Sequence, residues 1–426
     1  MKTAAFLLVI ILGSLTTVSI GQVSKVWAQI NDNAAIPTRA TNGQLSSTDN
    51  ALNSTIAAIS ITNISQALPD SKQEKLQRVY EIECACAEEV LMNSLKSVAV
   101  ISGIEAAPNY QVLYTPNDYN LGLANNYALD LINAEGAWDI TQGNASFIIG
   151  ISDQNVNPAH EELAGKIVSY DASNLATPTH GNAVCAIAAG NTNNNIGLSS
   201  IGFNSSIAFY QMNYNQLLVA TYSGIRVLNL SWTSGCFYNQ YEQDVMTEVY
   251  NNGTFIIAAA GNGNTCSSPD ALVYPAAYAH VFAVTSIGSM DNHEQVSGDP
   301  LSTHQHNQMV DLSAPGYNVA IAPMDGWYLN SSGTSYAAPY VTGTVALMLA
   351  VNPCLGNVDL ETILKNTSTN IDALNPLYAG KIGSGRLNAA AAVLLAQTFV
   401  HEAIFNVTIQ GTCASTSSIV SLNPTN

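Results

Sequence analysis

The sequence predicts an α/β domain in three layers around a largely parallel sheet, preceded by a small α+β domain. Three observations carry this. Five short runs, Phe147 to Ile151, Ile207 to Met212, Val227 to Leu230, Phe255 to Ala260 and Val281 to Ser286, are apolar nearly throughout and do not alternate, as strands buried on both faces are. Helical stretches separate them, and alternating strand and helix is the pattern of a sheet covered on both sides. In such sheets functional groups gather just past the carboxyl ends of the strands. Asp153, Asn229 and the pair Gly261-Asn262 fall at or just after the ends of these runs, so all point to one edge.

The elements before the sheet set its address. Lys2 and the apolar run Ala4 to Leu12, followed by small residues to Gly21, read as a secretory signal peptide spanning 1–21. Cleavage is expected after Gly21, with Ala28 as second candidate. Residues 22–70 are rich in Asn, Ser, Thr and Ala with little periodicity, and are expected to be a weakly ordered leader. From 71 to 113 the pattern is α+β: Ser71 to Glu74 fits a capping box, Arg78 to Cys84 alternates like a strand, Glu88 to Val98 has helical spacing, and Val98 to Ile104 is strand-like again. Residues 114–400 hold the main domain, and 401–426 form a short tail with no assigned role.

Composition narrows the partners. Of 426 residues 47% are hydrophobic, with 12 basic against 30 acidic side chains, a net charge of -18. That balance argues against nucleic acid or an anionic membrane as partner, because neither supplies the cations such a surface attracts. No run after the signal reaches ~18 uninterrupted apolar residues, so no membrane span is expected once the signal is removed. Seven cysteines in an exported chain suggest disulfides. Cys84 and Cys86 lie in the segment expected to be removed, and Cys185 in an apolar stretch suits a small buried thiol. Cys236 with Cys266 and Cys354 with Cys413 are the pairs expected, although spacing alone does not fix connectivity.

The chemistry centres on Gly333-Thr334-Ser335-Tyr336-Ala337-Ala338-Pro339, followed by the apolar run Val341 to Val351. A serine between small residues, where an irregular segment turns into a helix, exposes its hydroxyl, and the first helical turn offers unpaired N–H groups to an oxyanion. The same residue type is also a preferred helix N-cap. The wording of this segment resembles the nucleophile segment of the subtilisin-like serine proteases, the subtilases. Two further segments resemble theirs in the same order: Phe147 to Asp153 with His160-Glu161-Glu162-Leu163, and His180-Gly181-Asn182-Ala183-Val184-Cys185. The order Asp, His, Ser is that of subtilisin.

The resemblance, which runs from about 98 to 396, implies a three-layer subtilisin-like domain after a small α+β propeptide, and a secreted endopeptidase made as a zymogen. Ser335 is then the nucleophile, His180 the general base, and Asp153 the group that orients the imidazole. It also implies that Asn229, in Arg226 to Ser231, donates to the oxyanion, and that Ala259, Ala260, Gly261 and Asn262 line the substrate pocket. A polar amide in an apolar strand costs ~1–3 kcal/mol unless partnered, and structural hydrogen bonding is the other account of Asn229. The close at Gly103 to Tyr110 resembles the end of a subtilase propeptide, which acts as an inhibitor, with the cut expected between about Pro108 and Asn117. Protein or peptide substrates and a hydrophobic or broad preference are expected. No cofactor is required for the chemistry; a structural calcium is expected from the resemblance without assignable ligands.

Two departures stand out. The family normally has Asp-Thr-Gly or Asp-Ser-Gly where this chain has Asp153-Gln154-Asn155, and Asn155 is expected to take the positive φ of the usual Gly. Asn182, Ala183 and Cys185 depart from the usual histidine segment while remaining small enough to pack. A metalloprotease is disfavoured because no His-Glu-x-x-His occurs, and a lipase or esterase because Gly-x-Ser-x-Gly and its residue order are missing. A binding protein that has lost catalysis would break a reacting residue, whereas Asp153, His180, Asn229 and Ser335 are all retained.

Overall fold

The computed structural model describes residues 24–31, 35–39, 44–108, 114–119, 121 and 126–399. The signal peptide, the tail 401–426 and most of the expected maturation cut lie outside the described residues. The chain divides into two compact units, 1–111 and 112–426.

The first unit contains β1 (Ser24–Ile30), a two-residue ladder of β2 (Thr38–Arg39) with β3 (Leu45–Ser46), α1 (Asn50–Ala58), β4 (Ile61–Gln66), α2 (Glu74–Gln77), β5 (Val79–Cys84), α3 (Glu88–Lys96) and β6 (Ile101–Ala106). Its antiparallel sheet runs β4-β5-β1-β6. This corrects the expectation of a weakly ordered leader at 22–70, because β1 from that segment sits between β5 and β6. Val26, Ala28 and Ile30 are the buried, alternating residues of β1, and Val26 and Ala28 join Leu52, Ile56, Ile82, Leu91 and Leu95 in one core. The period of two was present, and the Asn- and Ser-rich flanks concealed it. Ala28 lies mid-strand and buried, so cleavage there would cut β1 in half. The expected capping box is absent. Gln73 is the N-cap of α2 with no side-chain bond, and the Ser71 hydroxyl accepts instead from the Gln73 N–H. Cys84 and Cys86 form a disulfide.

The second unit contains α4 (Tyr127–Leu131), α5 (Ala134–Ile140), β7 (Ile148–Asp153), β8 (Ile167–Ser169), α6 (Thr179–Ala189), β9 (Ser206–Gln211), α7 (Tyr214–Tyr222), β10 (Val227–Leu230), α8 (Gln240–Asn251), β11 (Phe255–Ala259), β12 (Val281–Ile287), β13 (Val310–Pro315), the hairpin β14 (Val319–Met324) and β15 (Trp327–Ser331), α9 (Thr334–Val351), α10 (Asn357–Thr367) and α11 (Ala389–Thr398). Seven strands form a parallel sheet in the order β13-β12-β11-β10-β7-β9-β8.

The strands are apolar on both faces because each face meets a helix layer. Along β11, Phe255, Ile257 and Ala259 enter the core shared with α5, α6, α9 and α11, while Ile256 and Ala258 enter the core shared with α7 and α8. Among the described residues α9 is the one helix long and apolar enough to cross a membrane, but it is buried in the larger core. It approaches α6 closely at Gly343, where a Cβ would come within 2.5 Å of the Ala188 carbonyl oxygen. Strand order reverses between β7 and β10: the chain goes from β7 outward to β8 and β9, then returns to β10 on the other side. This is the switch point at which the carboxyl ends leave a crevice, and both Asp153 and Asn229 lie there.

Candidate active site

Asp153 is the last residue of β7, and its side chain is 1% exposed. Its Oδ1 accepts from the Gln154 N–H at 2.7 Å. His180, in the first turn of α6, places Nδ1 2.9 and 2.8 Å from the two carboxylate oxygens. An ionised carboxylate only accepts, so the imidazole proton sits on Nδ1 and Nε2 is left with a free lone pair. Burial acts to lower the pKa of His180, but hydrogen bonding and attraction to Asp153 outweigh it and hold the ring above its ordinary 6.5. Gly181 is required: a Cβ there would lie 2.0 Å from the Asn155 carbonyl oxygen.

Ser335 stands half-buried in the first turn of α9, one residue before Tyr336, whose ring centroid lies 5.9 Å from that of His180. Its hydroxyl donates to the Ser231 carbonyl at 3.3 Å and makes no hydrogen bond to His180. The Ser231 hydroxyl donates in turn to the Ser335 carbonyl at 2.9 Å.

The two asparagines are placed differently from what was expected of them. Asn229 is fully buried, its Nδ2 donates to Ser231 Oγ at 2.8 Å, and its Oδ1 accepts from Thr342 Oγ1 at 3.0 Å. The expected oxyanion donor is therefore committed to internal bonds. Asn262, expected to line the pocket, is exposed just past β11. Its Oδ1 accepts from the Thr334 N–H at 2.9 Å and from Thr334 Oγ1 at 3.0 Å. That fixes the carboxamide and turns Nδ2 away from those donors. Thr334 Oγ1 also accepts from the Gly261 N–H at 3.1 Å, so this one hydroxyl ties the residue before Ser335 to the end of β11. The sequence signal for Thr334 was its place next to Ser335. Ser231 and Thr342 were visible only as polar residues in apolar runs.

Ala259 also departs from expectation. Its side chain belongs to the main core and Ala260 is buried as well, which leaves Gly261 and Asn262 as the accessible members of the expected set. Gly261 has φ +116°, and a Cβ there would press on Gln305 and Val273 at 3.1 Å. The loops after β10 and β11 are joined by the Cys236–Cys266 disulfide. Cys185 is a buried thiol; Cys354 is exposed, and its expected partner Cys413 lies outside the described residues.

Away from this edge, Asp118 and Glu162 are both fully buried. Glu162 Oε1 accepts from the Leu198 N–H and from Tyr328, while its Oε2 has no partner. Burial first, helped by the nearby Asp118 charge, pushes the Glu162 carboxyl up to about 8. Among the described residues no three His, Cys, Asp or Glu side chains converge as a metal site, so a cation here would need main-chain or amide oxygens for most of its shell.

Comparison with known proteins identifies the family and agrees with the fold. Residues 144–385 match the subtilase family. Thermitase from Thermoactinomyces vulgaris is 32% identical over 298 residues, covering 66% of this chain and 99% of thermitase. The halolysin-like extracellular serine protease Nep of Natrialba magadii is 30% identical, covering 72% of this chain and 58% of that protein. Among solved structures, a protease from Pseudoalteromonas arctica superposes on 66% of this chain and 100% of its own, with a TM-score of 0.53 at 23% identity. That identity speaks to fold alone. The family match, the thermitase alignment and the parallel sheet agree: the chain belongs to the subtilase family and is a serine-type endopeptidase.

Proposed function

We propose that the chain is exported as a zymogen, inhibited by its first unit, and that the mature domain cuts peptide bonds through Asp153, His180 and Ser335 with Asn262 as the side-chain oxyanion donor. The observation that carries the reading is the doubly contacted Asp153–His180 pair at the switch point, with the His180 ring 5.9 Å from that of Tyr336, the residue after Ser335. In the resting site Ser335 Oγ rests on the Ser231 carbonyl; catalysis requires it to rotate toward Nε2 of His180, a tightening expected when substrate binds. Ser335 Oγ then attacks the scissile carbonyl carbon while Nε2 takes its proton. The negative charge moves to the carbonyl oxygen, where Asn262 Nδ2 and the Ser335 N–H receive it. Collapse expels the amine, which takes the proton back from His180, and leaves an acyl-enzyme on Ser335. Water, deprotonated by His180, releases the acid and restores the serine.

Support for export comes from the apolar N-terminal run and from the relative described as extracellular. The α+β first unit, followed by a separate catalytic unit, supports maturation. We also propose that Glu162, with Asp118, contributes to a structural calcium site, because two buried carboxylates among oxygen donors suit a hard cation. Its role there is stability, not chemistry.

The test is expression of residues 22–426 as wild type and as Ser335→Ala. Self-removal of the first unit and casein hydrolysis by wild type only are expected. Processing and casein hydrolysis retained in Ser335→Ala would overturn the assignment.

A further inference from the structure

The turn after the acidic residue is one of the two places where this sequence leaves the family pattern, and Asn155 does not adopt a left-handed backbone there. The turn is held by side chains instead. Asn155 Oδ1 accepts from the Val156 N–H at 2.9 Å, while Nδ2 donates to the carbonyls of Ala176 at 2.7 Å and Asn174 at 3.2 Å. Asn174 returns the contact, its Nδ2 donating to the Gln154 carbonyl at 2.5 Å. Ala176 lies three residues before Thr179, where α6 begins. The Asn155 carbonyl oxygen itself abuts Gly181, and the next tie follows at once, with the Asn157 N–H donating to Asn182 Oδ1 at 2.8 Å. His180 is thus bracketed: the segment entering its helix and Asn182 after it are each hydrogen-bonded to the four residues that follow Asp153, and Gly181 packs against them.

We propose that Asn155 is a positioning residue for the Asp153–His180 pair, acting through its two donated bonds to the segment that leads into α6. The inference rests on the catalytic reading of that pair given above. Asn155 touches no reacting atom. Its carboxamide does what a tight glycine turn would otherwise do, fixing where β7 ends relative to where α6 starts. Without it the carbonyls of Asn174 and Ala176 lose their partner, and only the returning Asn174 bond to the Gln154 carbonyl ties this segment to the turn. The imidazole then loses alignment with the carboxylate, the group that keeps its Nδ1 proton in place. Asp153 is the charged group facing His180, and the neutral Tyr336 ring is its other neighbour.

The test uses the full chain, matured by its own activity, with Asn155→Ala, Asn174→Ala and the double variant, and Ser335→Ala as the inactive reference. Hydrolysis of a chromogenic peptide is followed across pH, with thermal unfolding alongside. For Asn155→Ala, kcat should fall on the order of tenfold to a hundredfold, as small misplacements of catalytic groups do, with KM nearly constant. The acid limb of kcat/KM should move to lower pH because His180 loses part of its hold on Asp153. Asn174→Ala, which removes only the returning bond, should give a smaller change in the same direction, and the double variant should fall short of the product of the two. If Asn155→Ala does not fold, Asn174→Ala alone decides. A lower melting temperature with kcat and the acid limb unmoved, in whichever variant folds, overturns the proposal. Activity in Ser335→Ala would instead overturn the catalytic reading beneath it, so the two failures are distinguishable.

Discussion

Replacing Asn229 and Asn262 separately by Ala asks which asparagine meets the oxyanion. Asn229→Ala deletes two buried hydrogen bonds, one to Ser231 and one from Thr342. At roughly 1 kcal/mol each, with a small cavity added, the loss is about 2–3 kcal/mol. For a domain of this size that lowers Tm by about 4–12 °C. Thr342 keeps the Ala338 carbonyl as acceptor at 3.1 Å, and Ser231 still reaches the Ser335 carbonyl, so kcat should fall by less than about tenfold, under ~1.4 kcal/mol of barrier. Asn262→Ala removes the exposed Nδ2 instead. There kcat should fall about 10²–10³-fold with KM nearly unchanged, the range known for removal of such a donor from subtilisin, a member of the same family. Melting is measured in the Ser335→Ala background to prevent self-digestion, and kinetics on a chromogenic peptide in the active one. A hundredfold loss of kcat in Asn229→Ala at unchanged Tm, with Asn262→Ala close to wild type, would refute the assignment.

Two further outcomes follow from the same geometry. His180 must be neutral to accept the serine proton, and its pKa is held above 6.5; activity should therefore be lost as pH falls through a value above 6.5, and Asp153→Asn should remove that upward displacement along with most of kcat. A pH–rate profile with its acid limb well below 6.5 would contradict the Asp153 contact. Calcium at about a hundred times its Kd should stabilise the Ser335→Ala zymogen by about 2.7 kcal/mol, seen as a higher Tm that chelator reverses and Glu162→Gln abolishes. An unchanged Tm would remove Glu162 from any cation site.

The sheet was legible because its strands are buried twice over. Ile256 and Ile257 point into opposite cores, and only continuous apolar runs satisfy that. The positions of Asp153, His180 and Ser335 at strand and helix ends followed from motif order and switch-point logic together. What could not be read was the direction of an amide. Asn229 and Asn262 both close apolar strands in the sequence, and only the placement of Thr342, one helix away, and of Thr334 decides which amide is consumed inside and which is held outward. The leader failed for a different reason. Three inward residues of β1 pack across a sheet whose other strands come from up to about 80 residues later, and no local window contains that partner surface.

The buried asparagine nevertheless bears on the placement of Ser335. Ser231 holds Ser335 at two atoms: its hydroxyl donates to the Ser335 carbonyl, and its carbonyl accepts from the Ser335 hydroxyl. A serine hydroxyl has a single proton, so once Ser231 Oγ is committed to Ser335 it can only accept elsewhere, and Asn229 Nδ2 is the donor that fills that need. Thr342, on the same helix as Ser335 and two turns further along, fixes the other end of the Asn229 amide. The amide orientation is thereby set by α9 and returned, through Ser231, to the first turn of α9. A polar residue in β10 is thus accounted for by internal bonding alone: it sets the direction of the hydrogen bonds that locate the first turn of α9 against the end of the sheet.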